Sequence, residues 1–132
     1  MSNTITNPLG ITVKNCVATN ENPNMDNSEN MHHWKVALLN PKNKKQLTVI
    51  FSRGYGHNGQ EPTADDVLYC LVSDSDCMDY DFEEWAENLG YDPDSRKAEK
   101  TFKVCKRQSA KLIKFIDSEE DMEALREWSI NY

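Results

Sequence analysis

The stretch from Ser95 to Ile116 constrains the fold most, because two classes of residue recur along it at helical spacing. Ala98, Phe102, Cys105, Ser109, Leu112 and Ile116 are separated by 4, 3, 4, 3 and 4 positions. That rhythm puts them on one side of a helix. Arg96, Lys100, Lys103, Arg107, Lys111 and Lys114 recur at spacings of 4, 3, 4, 4 and 3. This second stripe lies about 200° from the first around the same helix. If the apolar seam packs inward, the basic stripe faces out, and the rest of the chain must supply the surface that the seam covers.

The N-terminal half supplies a small sheet. Ile11, Val13 and Val17 suggest a short strand. The runs 33–39 and 46–52 are rich in β-formers and separated by Asn40-Pro41-Lys42-Asn43-Lys44-Lys45. They are expected to pair as an antiparallel hairpin, with Trp34, Val36, Leu38, Leu47, Val49 and Phe51 inward. Between strand and hairpin, residues 20–30 are dominated by Asn, contain Pro23 and show no apolar period, so they read as a mobile loop.

Everything after Pro62 reads as helix. Thr63 is a good N-cap, with Asp65 and Asp66 in the first turn and Val67, Leu68 and Leu71 as the apolar stripe. Asp81 can cap a second helix, in which Phe82, Trp85 and Leu89 face inward and Gly90 takes the left-handed C-terminal position. Asp94 is expected to cap the third helix. Ser118 opens a last one, with Met122, Leu125 and Trp128 on one side. The expected fold class is α+β: a small antiparallel β-sheet, made of an N-terminal strand plus a hairpin, followed by three to four helices. A chain of 132 residues fits one domain.

Charge is segregated along this frame. Residues 61–94 contain twelve Asp and Glu and no Lys or Arg, whereas residues 95–115 contain eight Lys and Arg against the single Glu99. Like charges massed in one region select oppositely charged surfaces and speed encounter with them. The overall charge of −7 argues against a general nucleic-acid coat, although the local basic stripe keeps a local contact open.

No basic and apolar leader opens the sequence, and the longest apolar runs are far too short to cross a bilayer. A soluble protein of the cytoplasm, with no membrane partner, is therefore expected. Cys16, Cys70, Cys77 and Cys105 allow three pairings, but in that compartment reduced, structural thiols are the better reading.

The motifs that might carry chemistry are weak. Gly54-Tyr55-Gly56-His57-Asn58-Gly59 matches a dinucleotide fingerprint, yet that fingerprint needs a parallel βαβ unit and no strand is expected after Pro62. A nucleotide-binding enzyme built on the 54–59 loop is the minor alternative to a non-enzyme. Asp74, Asp76, Asp79 and Asp81 are as dense as a calcium loop but fail its register: counted from Asp74, Asp79 stands where Gly is needed and Trp85 where Glu is needed, so the segment reads as a solvated loop between helices. His32 and His33 are adjacent, so a strand points them to opposite faces. No Ser or Cys has an identifiable His partner. No catalytic residue, metal or cofactor is expected.

Three stretches together, Pro62 to Leu71, Phe82-Glu83-Glu84-Trp85, and Leu89 to Ala98 followed by Cys105, resemble a family of small proteins encoded by bacteriophages, prophages and mobile elements. The resemblance spans about Trp34 to Ile116 and implies a setting, the bacterial host cytoplasm, and no catalytic residues. Small acidic phage products commonly bind host proteins, and anti-CRISPR and other anti-defence inhibitors are a large class of them.

The leading expectation is an accessory protein that inhibits a host nucleic-acid-processing machine by stoichiometric binding. Its acidic surface would act as a DNA mimic on a basic host protein or ribonucleoprotein. The interface expected is Asp65, Asp66, Asp74, Asp76, Asp79, Asp81, Glu83, Glu84 and Glu87. The alternative is a nucleic-acid-binding accessory protein that uses Arg96, Lys100, Lys103, Arg107, Lys111 and Lys114. Complementary charge on the two surfaces also allows a homodimer.

Overall fold

The computed structural model describes residues 7–19, 31–54 and 60–132. The expected mobile loop at 20–30 and most of the Gly-rich segment, 55–59, lie outside them. Three strands, β1 (Thr12–Ala18), β2 (Met31–Leu39) and β3 (Gln46–Gly54), form an antiparallel sheet in the order β1-β2-β3. Four α-helices follow: α1 (Ala64–Asp74), α2 (Phe82–Leu89), α3 (Arg96–Ile116) and α4 (Glu119–Ile130). This is the expected α+β arrangement.

The hairpin register pairs Trp34 with Phe51, Val36 with Val49 and Leu38 with Leu47. All six side chains therefore share one face, and five are buried, with Phe51 packed against them. Helices α1 and α4 and the C-terminal half of α3 close this face with Val67, Leu68, Leu71, Val72, Leu112, Phe115, Ile116, Met122, Leu125 and Trp128. A break in register between Val13 and Asn15 bends β1, leaving Val13 and Cys16 against the core.

A second, smaller core lies beyond the sheet. Cys77, Trp85, Ala86 and Ala98 are its buried members, with Phe82, Phe102 and Cys105 packed on it. Its rings interlock: Trp85 stacks on Tyr91 with centroids 5.3 Å apart and meets Phe102 at 5.1 Å, while Phe82 meets Phe102 at 5.6 Å. Helix α3 runs through both cores. Its seam is met by Cys77 and α2 at Ala98, Phe102 and Cys105, and by the main core at Leu112 and Ile116. Ser109 stands between them, its Oγ 3.4 Å from Cys77 Sγ.

Local chemistry sets the helix ends. Thr63 Oγ1 accepts from Asp66 N–H while Asp66 accepts from Thr63 N–H, a reciprocal capping box. Asp81 and Ser118 cap α2 and α4, and Gly90 ends α2 at φ 77°. The cap of α3 is Ser95, not the expected Asp94: Ser95 Oγ accepts from Ala98 N–H at 3.2 Å. Asp92 accepts from the backbone N–H groups of Asp94 and Ser95, and this tight turn moves the start of the helix one residue on. The other end of α3 is capped from a distance. Asn43 in the β2–β3 turn donates to the carbonyls of Phe115 and Ile116, and Lys45 donates to that of Lys114 and pairs with Asp117 at 3.0 Å.

Two further expectations change. Leu89 is 59% exposed, because α2 has only two turns and the small Ala86 takes the inward place beside Trp85. The segment expected as a solvated loop between the first two helices contains a 3-10 helix, Ser75–Asp79. Its Ser75 and Cys77 side chains are buried.

Candidate partner-binding surfaces

The nine acids expected at an interface separate into two groups. Asp65 is buried and faces the N-terminal segment, where its Oδ1 accepts from Asn7 N–H at 3.1 Å and Asn7 Nδ2 at 2.9 Å. It is a structural anchor, which corrects its placement on the surface. Asp66 is engaged in the cap and also accepts from Tyr132 Oη at 2.9 Å. Partial burial, and after it that bond, push the Tyr132 hydroxyl up to about 12. Asp74, Asp76, Asp79, Asp81, Glu83, Glu84 and Glu87 are exposed. Among the described residues none of these seven is in an ion pair.

They share their surface with apolar side chains. Met78, Tyr80, Leu89 and Tyr91 are all exposed by more than a third and fall between the acids in sequence. Scattered singly, such residues would be ordinary. Here four stand within a fourteen-residue acidic stretch, giving an apolar patch in an acidic setting. Exposed rings and thioethers surrounded by charge are the composition of protein-binding surfaces.

All six residues of the basic stripe are exposed. Lys103 pairs with Glu99 one turn back at 3.2 Å, a surface contact of little energetic weight. Arg96, Lys100, Arg107, Lys111 and Lys114 have no ion pair among the described residues. Lys106 lies off the stripe, with its Nζ 5.2 Å above the Phe102 ring. Helix α2 packs on the apolar seam of α3, so the outward acids of α2 and the outward cations of α3 lie on opposite sides of this helix pair. The two charged surfaces therefore remain separate.

Between β3, α1, the 3-10 helix, α2 and α3 lie two adjoining hollows, together termed the trough, that share Ser73, Asp74 and Cys105 in their walls. The larger, about 370 Å³, reaches the outer edge strand β3 at Val49 to Ser52 and is floored by Val67, Leu71 and Val104. The smaller, about 260 Å³, opens beside Asp76, Tyr80, Trp85, Asn88 and Leu89. Asp74 is exposed as a whole residue and stands in the walls of both hollows. Desolvation there, with Asp76 adding like charge, pushes it up to about 6. Cys105 is pushed up to about 12 by burial, with Asp74 and Cys77 adding to the effect. It is therefore held as a neutral thiol.

Sequence periodicity could not find this trough, because its walls come from five elements. The only local signal is Asp74 following an apolar stripe. No disulfide links the four cysteines: Cys70 is exposed, Cys77 is buried, and Cys16 and Cys105 lie between. His33 and Ser52 face each other across β2 and β3, with Nδ1 and Oγ 2.6 Å apart. Among the described residues no three metal-ligating side chains converge, and no helix is long and apolar enough to cross a membrane. The chain matches no protein-family model, no curated protein and no solved structure in the comparisons made with them.

Proposed function

We propose that this chain is a phage or mobile-element accessory protein. It inhibits a host nucleic-acid-processing machine, such as a CRISPR-type defence complex, by stoichiometric binding through the surface formed by the 3-10 helix and α2. The single observation that carries the reading is the exposed array Asp74, Asp76, Asp79, Asp81, Glu83, Glu84 and Glu87, with no cation in residues 61–94. Carboxylates presented on short helices, with no ion pair among the described residues, suit a positively charged groove that otherwise receives a phosphate backbone. The interleaved Met78, Tyr80, Leu89 and Tyr91 supply the apolar contact that a purely ionic surface lacks. The phage setting rests on the sequence resemblance, and the binding mode on the surface.

The test replaces Asp79, Glu83, Glu84 and Glu87 by Lys. Wild-type protein immobilised on beads should retain nucleic-acid-binding proteins from a bacterial lysate, duplex DNA should compete them off, and the fourfold variant should release them. If the folded variant retains the same proteins and DNA does not compete, the reading is wrong. The basic stripe supports a second reading, direct nucleic-acid binding, because five of its six cations have no ion pair among the described residues. That reading requires a DNA or RNA gel shift with steep salt dependence, lost when Lys100, Lys103, Arg107 and Lys111 become Ala.

A further inference from the structure

We infer that the trough centred on Asp74 is a receptor for an arginine side chain presented by a protein partner. This deepens the proposed acidic-face reading and rests on it for the identity of the partner. Three independent features agree. The trough is apolar along its length, offering Val67, Leu71 and Val104 on one side of Asp74 and Tyr80, Trp85 and Leu89 on the other. Such walls suit the aliphatic stem of a long basic side chain. Its polar groups are short of donors: among the described residues nothing donates to the Asp74 carboxyl, and Gln108 Oε1, in the wall of the larger hollow, is buried without a donor. Asp76, which adds like charge to Asp74, stands in the wall of the smaller hollow as well, so the negative potential there is not that of Asp74 alone.

A guanidinium answers all three. It carries five donors in a planar fork, keeps its charge at every accessible pH, and sheds water more readily than an ammonium. The groups that face Asp74 are Asp76 and Cys77 from the 3-10 helix, Tyr80 from the following loop, Trp85 and Asn88 from α2, and Cys105 from α3. None is a cation. An arginine entering the trough therefore relieves an uncompensated carboxylate instead of displacing an internal partner. Because the cation pairs with the ionised carboxyl, affinity should fall as pH drops below about 6.

The experiment is a titration of the ¹⁵N-labelled full chain with N-acetyl-L-arginine amide, with N-acetyl-L-norleucine amide as the uncharged control. The arginine probe should give saturable shifts of the Ser73, Asp74, Asn88, Leu89 and Cys105 amides, binding at least tenfold more tightly than norleucine. Asp74→Asn should remove at least tenfold of that affinity, and so should lowering the pH from 7.5 to 5. Leu89→Lys, at an exposed position that leaves the core untouched, should also weaken the probe by placing a competing cation at the mouth. Equal affinity for the two probes, shifts that do not saturate, or an Asp74→Asn variant that binds as tightly as wild type would each overturn the inference. The two proposals fail separately. Loss of lysate partners only on reversal of the α2 acids, with no arginine binding, removes the trough alone; arginine binding with no acid-dependent partner removes the inhibitor reading alone.

Discussion

Asn7 and Asp65, 58 positions apart, are joined twice, by the backbone N–H and the side-chain amide of Asn7 on one carboxylate oxygen. The same Asn7 side chain donates to Ile11 O and accepts from Ile11 N–H, so one buried pair folds the N-terminal segment and docks it on the first turn of α1. Asp65→Ala should cost about 2 to 3 kcal/mol in urea unfolding, the scale of buried hydrogen bonds to a charged group. Glu83→Ala and Glu87→Ala, at exposed positions, should change stability by less than about 0.5 kcal/mol. Equal effects from the two sets would show that Asp65 is not an anchor.

The remote cap on α3 gives a second expectation. Asn43→Ala removes donors to two helix-end carbonyls, with an expected loss of about 1 kcal/mol. Amide exchange should quicken in the last turn of α3 and leave α1 unchanged. A uniform change across the chain would mean that the hairpin turn does not act as a local cap.

Asp74 makes stability pH-dependent with a defined sign. Its folded pKa of about 6 lies above the ordinary carboxyl value of 3.8, so the folded state holds the proton more tightly and stability falls as pH rises from about 4 to about 6. Because the residue is solvent-accessible, screening reduces the effect to about 1 kcal/mol. Asp74→Asn should therefore stabilise the protein by that amount at pH 7.5 and leave it unchanged near pH 4. Urea midpoints at the two pH values settle the sign.

The thiols should differ in reactivity. Cys70 is exposed, whereas Cys77 is buried and Cys105 is held neutral by burial. Iodoacetamide at pH 8 should modify Cys70 first, Cys105 far more slowly because its thiol stays neutral, and Cys77 only with unfolding, as peptide mass mapping would show. Alkylation of Cys105 as fast as that of Cys70 would mean that its thiol is not held neutral.

Much of this architecture was legible in the sequence because it rests on short-range periodicity. The seam of α3, the inward residues of the hairpin and the caps Thr63, Asp81 and Ser118 each follow from spacing and side-chain chemistry within a few residues. The failures share a cause. Leu89 and Ala86 both lie near the inward side of α2, and only the neighbouring rings decide that the smaller one is covered. Asp65 and Asp66 look alike as first-turn acids until Asn7 arrives from a distant part of the chain. Asp94 yields to Ser95 because Asp92 organises the turn before it. The trough belongs wholly to this long-range class.

Placing the acids of α2 and the cations of α3 on opposite sides of one helix pair bears on self-association. A two-fold pair must satisfy both contacts at once, whereas a single contact between the two faces runs head to tail and closes into a ring or extends as its rotation dictates. Light scattering at low salt should show either monomers or mass that grows with concentration, and raising salt from about 0.1 to 1 M should abolish the growth, as the Debye length shrinks from about 10 to about 3 Å. A discrete dimer that survives high salt would require another interface.

Helix α3 is one continuous rod shared by two cores of unequal size, and its two halves need not open together. The first half is secured mainly by a few rings around Trp85, the second by the sheet and two further helices. Native-state exchange should divide near Ser109, with the earlier half released at lower energy. The recognition lobe can then breathe, adapt to a partner or accumulate substitutions while the sheet keeps its shape, separating what the protein can afford to vary from what it must conserve to remain folded.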